Sequence, residues 1–178
     1  MIYPPSEDSY LLTEILKEKL SVLLEGNPDL TFLEIGAGSG IHLETAHKSG
    51  VKKQNISSAD VNPVAVGHCN AIGFNCIQSD LFEKVPEKYN IIIFNPPYLP
   101  EHKFDDKPDT SAGKKQEVIV RFLQQAKDHL EPNGKIFLLL SSFTPMQEIE
   151  QELNKYNKKL LGNEKLFYEE LFVWELTV

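Results

Sequence analysis

The chain has 178 residues, 41% apolar and 25% charged, which suits one globular domain over 1–178 and leaves too little material for a second. No stretch nears the ~20 apolar residues that cross a bilayer, and the start, Met1-Ile2-Tyr3-Pro4-Pro5-Ser6, has no signal-peptide pattern, so a cytoplasmic location is expected. The net charge of −8, a single arginine (Arg121) and scattered lysine pairs provide no basic stripe for nucleic acid; a protein or small-molecule substrate is favoured.

Ser6 before Glu7 and Asp8 predicts a capped helix start, and Leu12, Ile15, Leu16, Leu20 and Leu23 continue it at helical spacing to Gly26-Asn27-Pro28. Residues 30–35 predict a first strand, which runs into Gly36-Ala37-Gly38-Ser39-Gly40 and a helix to about Ser49. Residues 54–59 predict a second strand ending at Asp60. Asn62-Pro63 then opens a helix closed by a left-handed cap at Gly73. Residues 74–78 and 90–94 predict the third and fourth strands. A polar loop, 99–114, separates the fourth strand from a helix marked by Val118, Ile119, Phe122, Leu123, Ala126 and Leu130. Its length makes it a lid or substrate reader, or else a plain connector. Pro132-Asn133-Gly134 reads as a turn, 136–140 as a fifth strand, and Thr144-Pro145 as the start of a helix to about Tyr156. Residues 165–168 and 172–177 read as the last two strands. Strands alternating with helices predict a mostly parallel sheet covered on both faces. Cys69 and Cys76 have no metal spacing and read as small apolar residues.

Three features carry chemistry. Glu34-Ile35-Gly36-Ala37-Gly38-Ser39-Gly40 lies between a strand and a helix, where glycines allow a tight turn and close approach to a ligand. Position 41 is Ile, so the G-x-G-x-x-G of a dinucleotide site is missing and a cofactor without a pyrophosphate is indicated. Asp60 closes the second strand, where a carboxylate can accept from both hydroxyls of a ribose; its other reading is a helix cap, for which Asn62 competes. Asp80 stands after the third strand, where an adenine edge would lie, or is a turn residue. Glu34 binds a cofactor amino group or orients the loop.

The third feature is Asn95-Pro96-Pro97-Tyr98, which closes the fourth strand. The prolines stop the strand and hold an amide and a ring rigidly at its carboxyl end. An amide or aryl amine nitrogen has its lone pair delocalised. The Asn95 side-chain oxygen and the Pro96 carbonyl can accept its two N–H bonds and so free the lone pair for attack. Tyr98 offers a flat face to the planar group. No metal and no strong base are needed. The histidines are scattered; only His102 falls near this loop.

Together these segments, with Pro5-Ser6-Glu7-Asp8-Ser9, Asp60-Val61-Asn62-Pro63 and Asp80-Leu81, resemble the HemK-like protein-glutamine methyltransferases in their short archaeal and eukaryotic form. The resemblance covers nearly the whole chain. It implies a Rossmann-like class I methyltransferase fold of seven strands, mostly parallel, with helices on both faces and an antiparallel C-terminal strand. It implies S-adenosyl-L-methionine as cofactor, S-adenosyl-L-homocysteine as product, and the Gly-Gly-Gln glutamine of a class I peptide chain release factor as substrate. It also implies a small zinc-binding activator subunit. By match, Ser9, Glu34, Gly36, Ala37, Gly38, Asp60, Asp80, Leu81 and Asn95 would contact the cofactor. Asn95, Pro96, Pro97 and Tyr98 would hold the substrate amide, with Asn95, Pro96 and Tyr98 catalytic. Where the family has a Gly-Gly pair past this loop, the chain reads Asp109-Thr110-Ser111-Ala112-Gly113-Lys114. An adenine or guanine methyltransferase on RNA or DNA, and a non-catalytic cofactor-binding subunit, are the competing readings.

Overall fold

A computed structural model describes residue 2, residues 4–97 and residues 115–178. Tyr98, His102, the 99–114 loop and its Asp109–Lys114 segment lie outside the described residues.

Helix α1 is Glu7–Gly26. Strand β1, Phe32–Ile35, leads to helix α2, Ile41–Lys48. Strand β2 is Ile56–Asp60, helix α3 Pro63–Ala71 and strand β3 Asn75–Gln78. Strand β4 is Tyr89–Phe94, helix α4 Lys115–Ala126 and strand β5 Leu130–Ser141. Helix α5, Met146–Leu153, precedes the β6–β7 hairpin, Asn157–Lys165 and Glu170–Thr177.

The sheet order is β3-β2-β1-β4-β5-β7-β6. Strands β1 to β5 pair parallel; β7 runs antiparallel to both β5 and β6. From β1 the chain winds outward through β2 and β3, then returns to the other side of β1 as β4. That reversal opens a crevice at the carboxyl ends of β1 and β4, where open α/β sheets bind ligands.

Alternation along the central strands divides the core. Leu33, Ile35, Ile92, Phe94, Ile136 and Leu138 face the layer of α4 and α5. Phe32, Ile91, Ile93, Phe137 and Leu139 face the layer of α1 and α2, with Leu12, Leu16 and Leu43. Side-chain period two on each strand produces both layers from one apolar run. Glu34 shares a face with Phe32, so its carboxyl group points into the α1–α2 layer.

Four expectations need correction. Ser6 occupies the N-cap of α1 without a side-chain cap bond; its hydroxyl donates to the Asp8 carboxylate at 3.0 Å instead. Pro132-Asn133-Gly134 is not a turn ahead of the fifth strand but lies inside β5, where Asn133 takes φ +63° and the register with β4 shifts. The helix expected from Thr144-Pro145 to about Tyr156 is shorter, Met146–Leu153, and the Thr144 hydroxyl accepts from the Ser141 N–H at 3.0 Å. The first strand of the last pair is 157–165, not 165–168. This edge strand is largely exposed and Lys/Asn-rich, so neither apolar run nor alternation marks it. Cys69 and Cys76 are buried free thiols, as their reading as small apolar residues expects.

Candidate active site

Ile35 and Phe94 are register partners across β1 and β4, so the residues that follow them, Gly36 and Asn95, emerge side by side at the crevice. The glycine loop turns through left-handed backbone at Gly36 (φ +72°), Gly38 (φ +48°) and Gly40 (φ +76°). At Gly40 a Cβ would also lie 3.0 Å from Ile72 Cδ1, so α3 packs directly against the loop backbone.

Asp60 frames this loop. Its Oδ2 accepts from the Gly38 N–H at 2.9 Å and its Oδ1 from the Asn62 N–H at 2.8 Å. Asn62 Oδ1 in turn accepts from Val64 N–H at 3.0 Å and caps α3. The cap therefore belongs to Asn62. The Asp60 carboxylate, buried and oriented, keeps lone-pair capacity for further donors.

Behind the loop runs a polar chain that crosses three elements. His42 Nδ1 lies 2.7 Å from Glu34 Oε1, and its Nε2 lies 3.1 Å from the Ser9 carbonyl oxygen. A carboxylate and a carbonyl both accept. Either the imidazole carries both protons, or Glu34 carries the one it shares with Nδ1. Burial alone would push the His42 imidazole down, but the Glu34 carboxylate, by charge and hydrogen bond, turns it upward. Burial pushes the Glu34 carboxyl up, against the pull of His42. One residue before Ser9, the Asp8 Oδ2 accepts from Asn95 Nδ2 at 3.1 Å. The first turn of α1 thus touches both the Glu34 side of the crevice and the Asn95 side.

Two acceptors of this polar network are buried without a hydrogen-bond partner: Glu34 Oε2 and Asn95 Oδ1. Leaving such atoms unpaired costs about 1–3 kcal/mol each. On the far side, Asp80 Oδ2 accepts from Arg121 Nη2 at 2.8 Å, tying the end of β3 to α4. Leu81, next in the chain, takes φ +49°, an unfavourable conformation for a side chain of its size.

The Methyltransferase small domain family matches residues 9–167. A Methanocaldococcus jannaschii protein, named provisionally as a protein N5-glutamine methyltransferase, is 35% identical, covering 98% of this chain and 92% of its own. The chain belongs to the methyltransferase small domain family. The Lactococcus lactis release factor glutamine methyltransferase is 32% identical over 79% of this chain, which spans 58% of that longer protein. A chain of the E. cuniculi Mtq2–Trm112 complex, which methylates the termination factor eRF1, superposes with a TM-score of 0.74 at 25% identity. That alignment covers 98% of this chain and 97% of that one.

The crevice fits the cofactor expected of a class I methyltransferase. Left-handed glycines let backbone approach a ligand, the Asp60 carboxylate is held by two N–H bonds with lone pairs to spare, and Glu34 Oε2 is a buried acceptor without a hydrogen-bond partner. Of the site residues expected from sequence, Ser9, Glu34, Gly36, Ala37, Gly38, Asp60 and Asn95 border this crevice. Pro96 and Pro97 continue the backbone from Asn95. Asp80 and Leu81 stand farther along the same edge, beyond β2.

The sequence reading missed three residues of this methyltransferase site: Asp8, His42 and Arg121. His42 was passed over among scattered histidines, yet it is the one buried against Glu34. A signal existed. Glu34 inside an apolar strand must face a helix layer, and a buried carboxylate needs a donor. His42, on the helix that follows, is within reach. Arg121 is the single arginine of the chain, placed in the helix that packs over β4.

Proposed function

We propose that this methyltransferase methylates the side-chain amide nitrogen of the glutamine in the Gly-Gly-Gln motif of a peptide chain release factor. S-adenosyl-L-methionine supplies an electrophilic methyl group when bound. The observation that carries the reading is Asn95. Its amide nitrogen is tied to Asp8, and its buried Oδ1 is left without a partner. An acceptor oriented in this way asks for an N–H donor.

A primary amide brings two. Asn95 Oδ1 accepts one and the Pro96 carbonyl the other, which holds the nitrogen with its lone pair turned out of conjugation. The role expected of Tyr98 from the family match is to offer its ring to the planar amide. As the nitrogen pyramidalises both bonds strengthen, and one proton passes to solvent when the methylated amide regains planarity. Asp60 would accept from the ribose hydroxyls, Glu34 and Ser9 would hold the amino-acid end, and Asp80 with Leu81 would hold the adenine. Gly36, Ala37 and Gly38 let the ligand lie against backbone. Positioning of this kind can contribute roughly 7–11 kcal/mol.

The relatives that modify release factors support the protein substrate, and the Mtq2–Trm112 neighbour supports a small activator subunit. We place zinc in that subunit and the reaction in the cytoplasm, where release factors work; no helix among the described residues is long and apolar enough to cross a membrane. The test is transfer of labelled methyl into total cell protein and RNA, with and without nuclease, for wild type and Asn95→Ala. A nuclease-resistant, Asn95-dependent band of release-factor size is expected. Nuclease-sensitive label would move the substrate to RNA or DNA. Label that persists in Asn95→Ala would remove Asn95 from the site.

A further inference from the structure

We propose that the tip of the β6–β7 hairpin is a docking surface for the protein that carries the glutamine, with Phe167 and Tyr168 as its anchors. The proposal rests on the release-factor reading above.

Phe167 is 88% exposed and Tyr168 82%, more than any other large apolar side chain among the described residues. The two rings pack edge to face, with centroids 4.5 Å apart. Together they offer roughly 300–400 Å² of surface to water, the scale of a functional patch on a monomer. A single exposed aromatic is ordinary. Two in succession on a turn are a standing cost unless something covers them.

The turn is held in place. Leu166 N–H donates to the Glu169 carbonyl at 2.7 Å. The Ser141 hydroxyl donates to the Glu169 carboxylate. Ser142 N–H donates to the Glu170 carbonyl at 2.8 Å, and Glu170 N–H to the Ser142 hydroxyl at 3.0 Å. Rings on a pinned turn lose little freedom on binding, which is what an anchor needs.

The tip also stands on the right edge. Strand β7 is antiparallel to β5, with Leu171 paired to Ser141, so β7 begins where β5 ends. Leu138 of β5 pairs with Phe94, and Asn95 follows Phe94. The tip therefore rises on the edge of the sheet that carries Asn95, two strands away, a lateral offset of about 10 Å. Phe143 and Met146, also exposed, follow β5 on this edge. A protein that inserts one glutamine beside Asn95 must lay its flanking surface over this ground.

Aromatic rings also stack on bases, but charge decides against nucleic acid. The chain carries −8, and Glu169 and Glu170 directly follow the rings, against one lysine (Lys165) just before them, so a phosphate backbone is repelled and a basic protein surface is favoured.

The experiment compares wild type with Phe167→Ala/Tyr168→Ala, as the full chain with its activator, on intact release factor and on a short Gly-Gly-Gln peptide. The ratio of kcat/KM for the protein to that for the peptide should fall at least about tenfold, through KM rather than kcat. The pair Phe167→Tyr and Tyr168→Phe should keep it. An unchanged ratio overturns the docking surface and leaves the function standing. Equal loss on both substrates overturns it as well, since the defect then lies in the fold or the crevice. A wild type that labels no release factor removes the function and this surface with it.

Discussion

Asn95 Nδ2 donates to Asp8 Oδ2 at 3.1 Å, across 87 residues of chain. An amide can face either way, and this bond selects one. With nitrogen turned to Asp8, Oδ1 is the atom left for another donor. Asp8→Ala removes the selection and lets the amide flip. Methyl transfer should fall about 10- to 100-fold, the worth of one hydrogen bond to a charged group. Cofactor affinity, read by calorimetry, should change far less. Equal losses in both would make Asp8 a cofactor-site residue instead.

The Glu34–His42 pair predicts a pH dependence of stability. The imidazole is held above its ordinary 6.5 by Glu34, against burial. A group raised on folding stabilises fully below its unfolded value and loses that contribution as pH rises through the folded one. The melting temperature of wild type should therefore decline above about pH 6.5. In Glu34→Gln, burial would push the imidazole down, with only Ser9 and the more distant Asp8 opposing. The contribution of His42 then reverses: it is lost as pH falls below about 6.5. Asp60, which also faces Glu34, stays in both proteins. Melting curves from about pH 5 to about pH 9 test the reversal; parallel curves would dismiss it.

Variants of Asp60 and Asn62 test whether ribose binding and helix capping are separate roles. Asp60→Ala should weaken cofactor binding about 10- to 100-fold, since it removes a charged acceptor and the Gly38 anchor together. Asn62→Ala should lower stability by about 1 kcal/mol through the lost cap of α3, with a smaller effect on affinity. Cofactor titration and thermal melts on both variants distinguish the roles.

Gly36 and Gly26 provide a backbone contrast. Gly36 has φ +72°, so Gly36→Ala should cost about 1–2 kcal/mol and weaken cofactor binding. Gly26, at the end of α1, has nothing within 4 Å of an added Cβ, so Gly26→Ala should be neutral or stabilising by up to about 1 kcal/mol. Chemical denaturation of the two variants gives the comparison.

The fold was legible because its strands β1, β4 and β5 are apolar runs between glycine and proline signals. The elements that escaped lack such signals. Strand β6 pairs only on one side and is mostly solvated, so polar residues suffice there. Residues 165–168 look like a strand because Phe167 and Tyr168 favour strands, yet they cap a hairpin in water. The crevice itself was readable where one segment carries it, as in the glycine loop and Asn95-Pro96-Pro97. It was unreadable where distant segments meet: Asp8 with Asn95, Ser9 with His42 and Asp80 with Arg121 are products of the strand order.

The most direct measurement is mass spectrometry of a purified release factor after incubation with this enzyme, its activator and S-adenosyl-L-methionine. The account predicts one added methyl on the Gly-Gly-Gln glutamine, absent when Asn95→Ala replaces wild type. An unmodified glutamine with wild-type enzyme, or a modified one with Asn95→Ala, would contradict it.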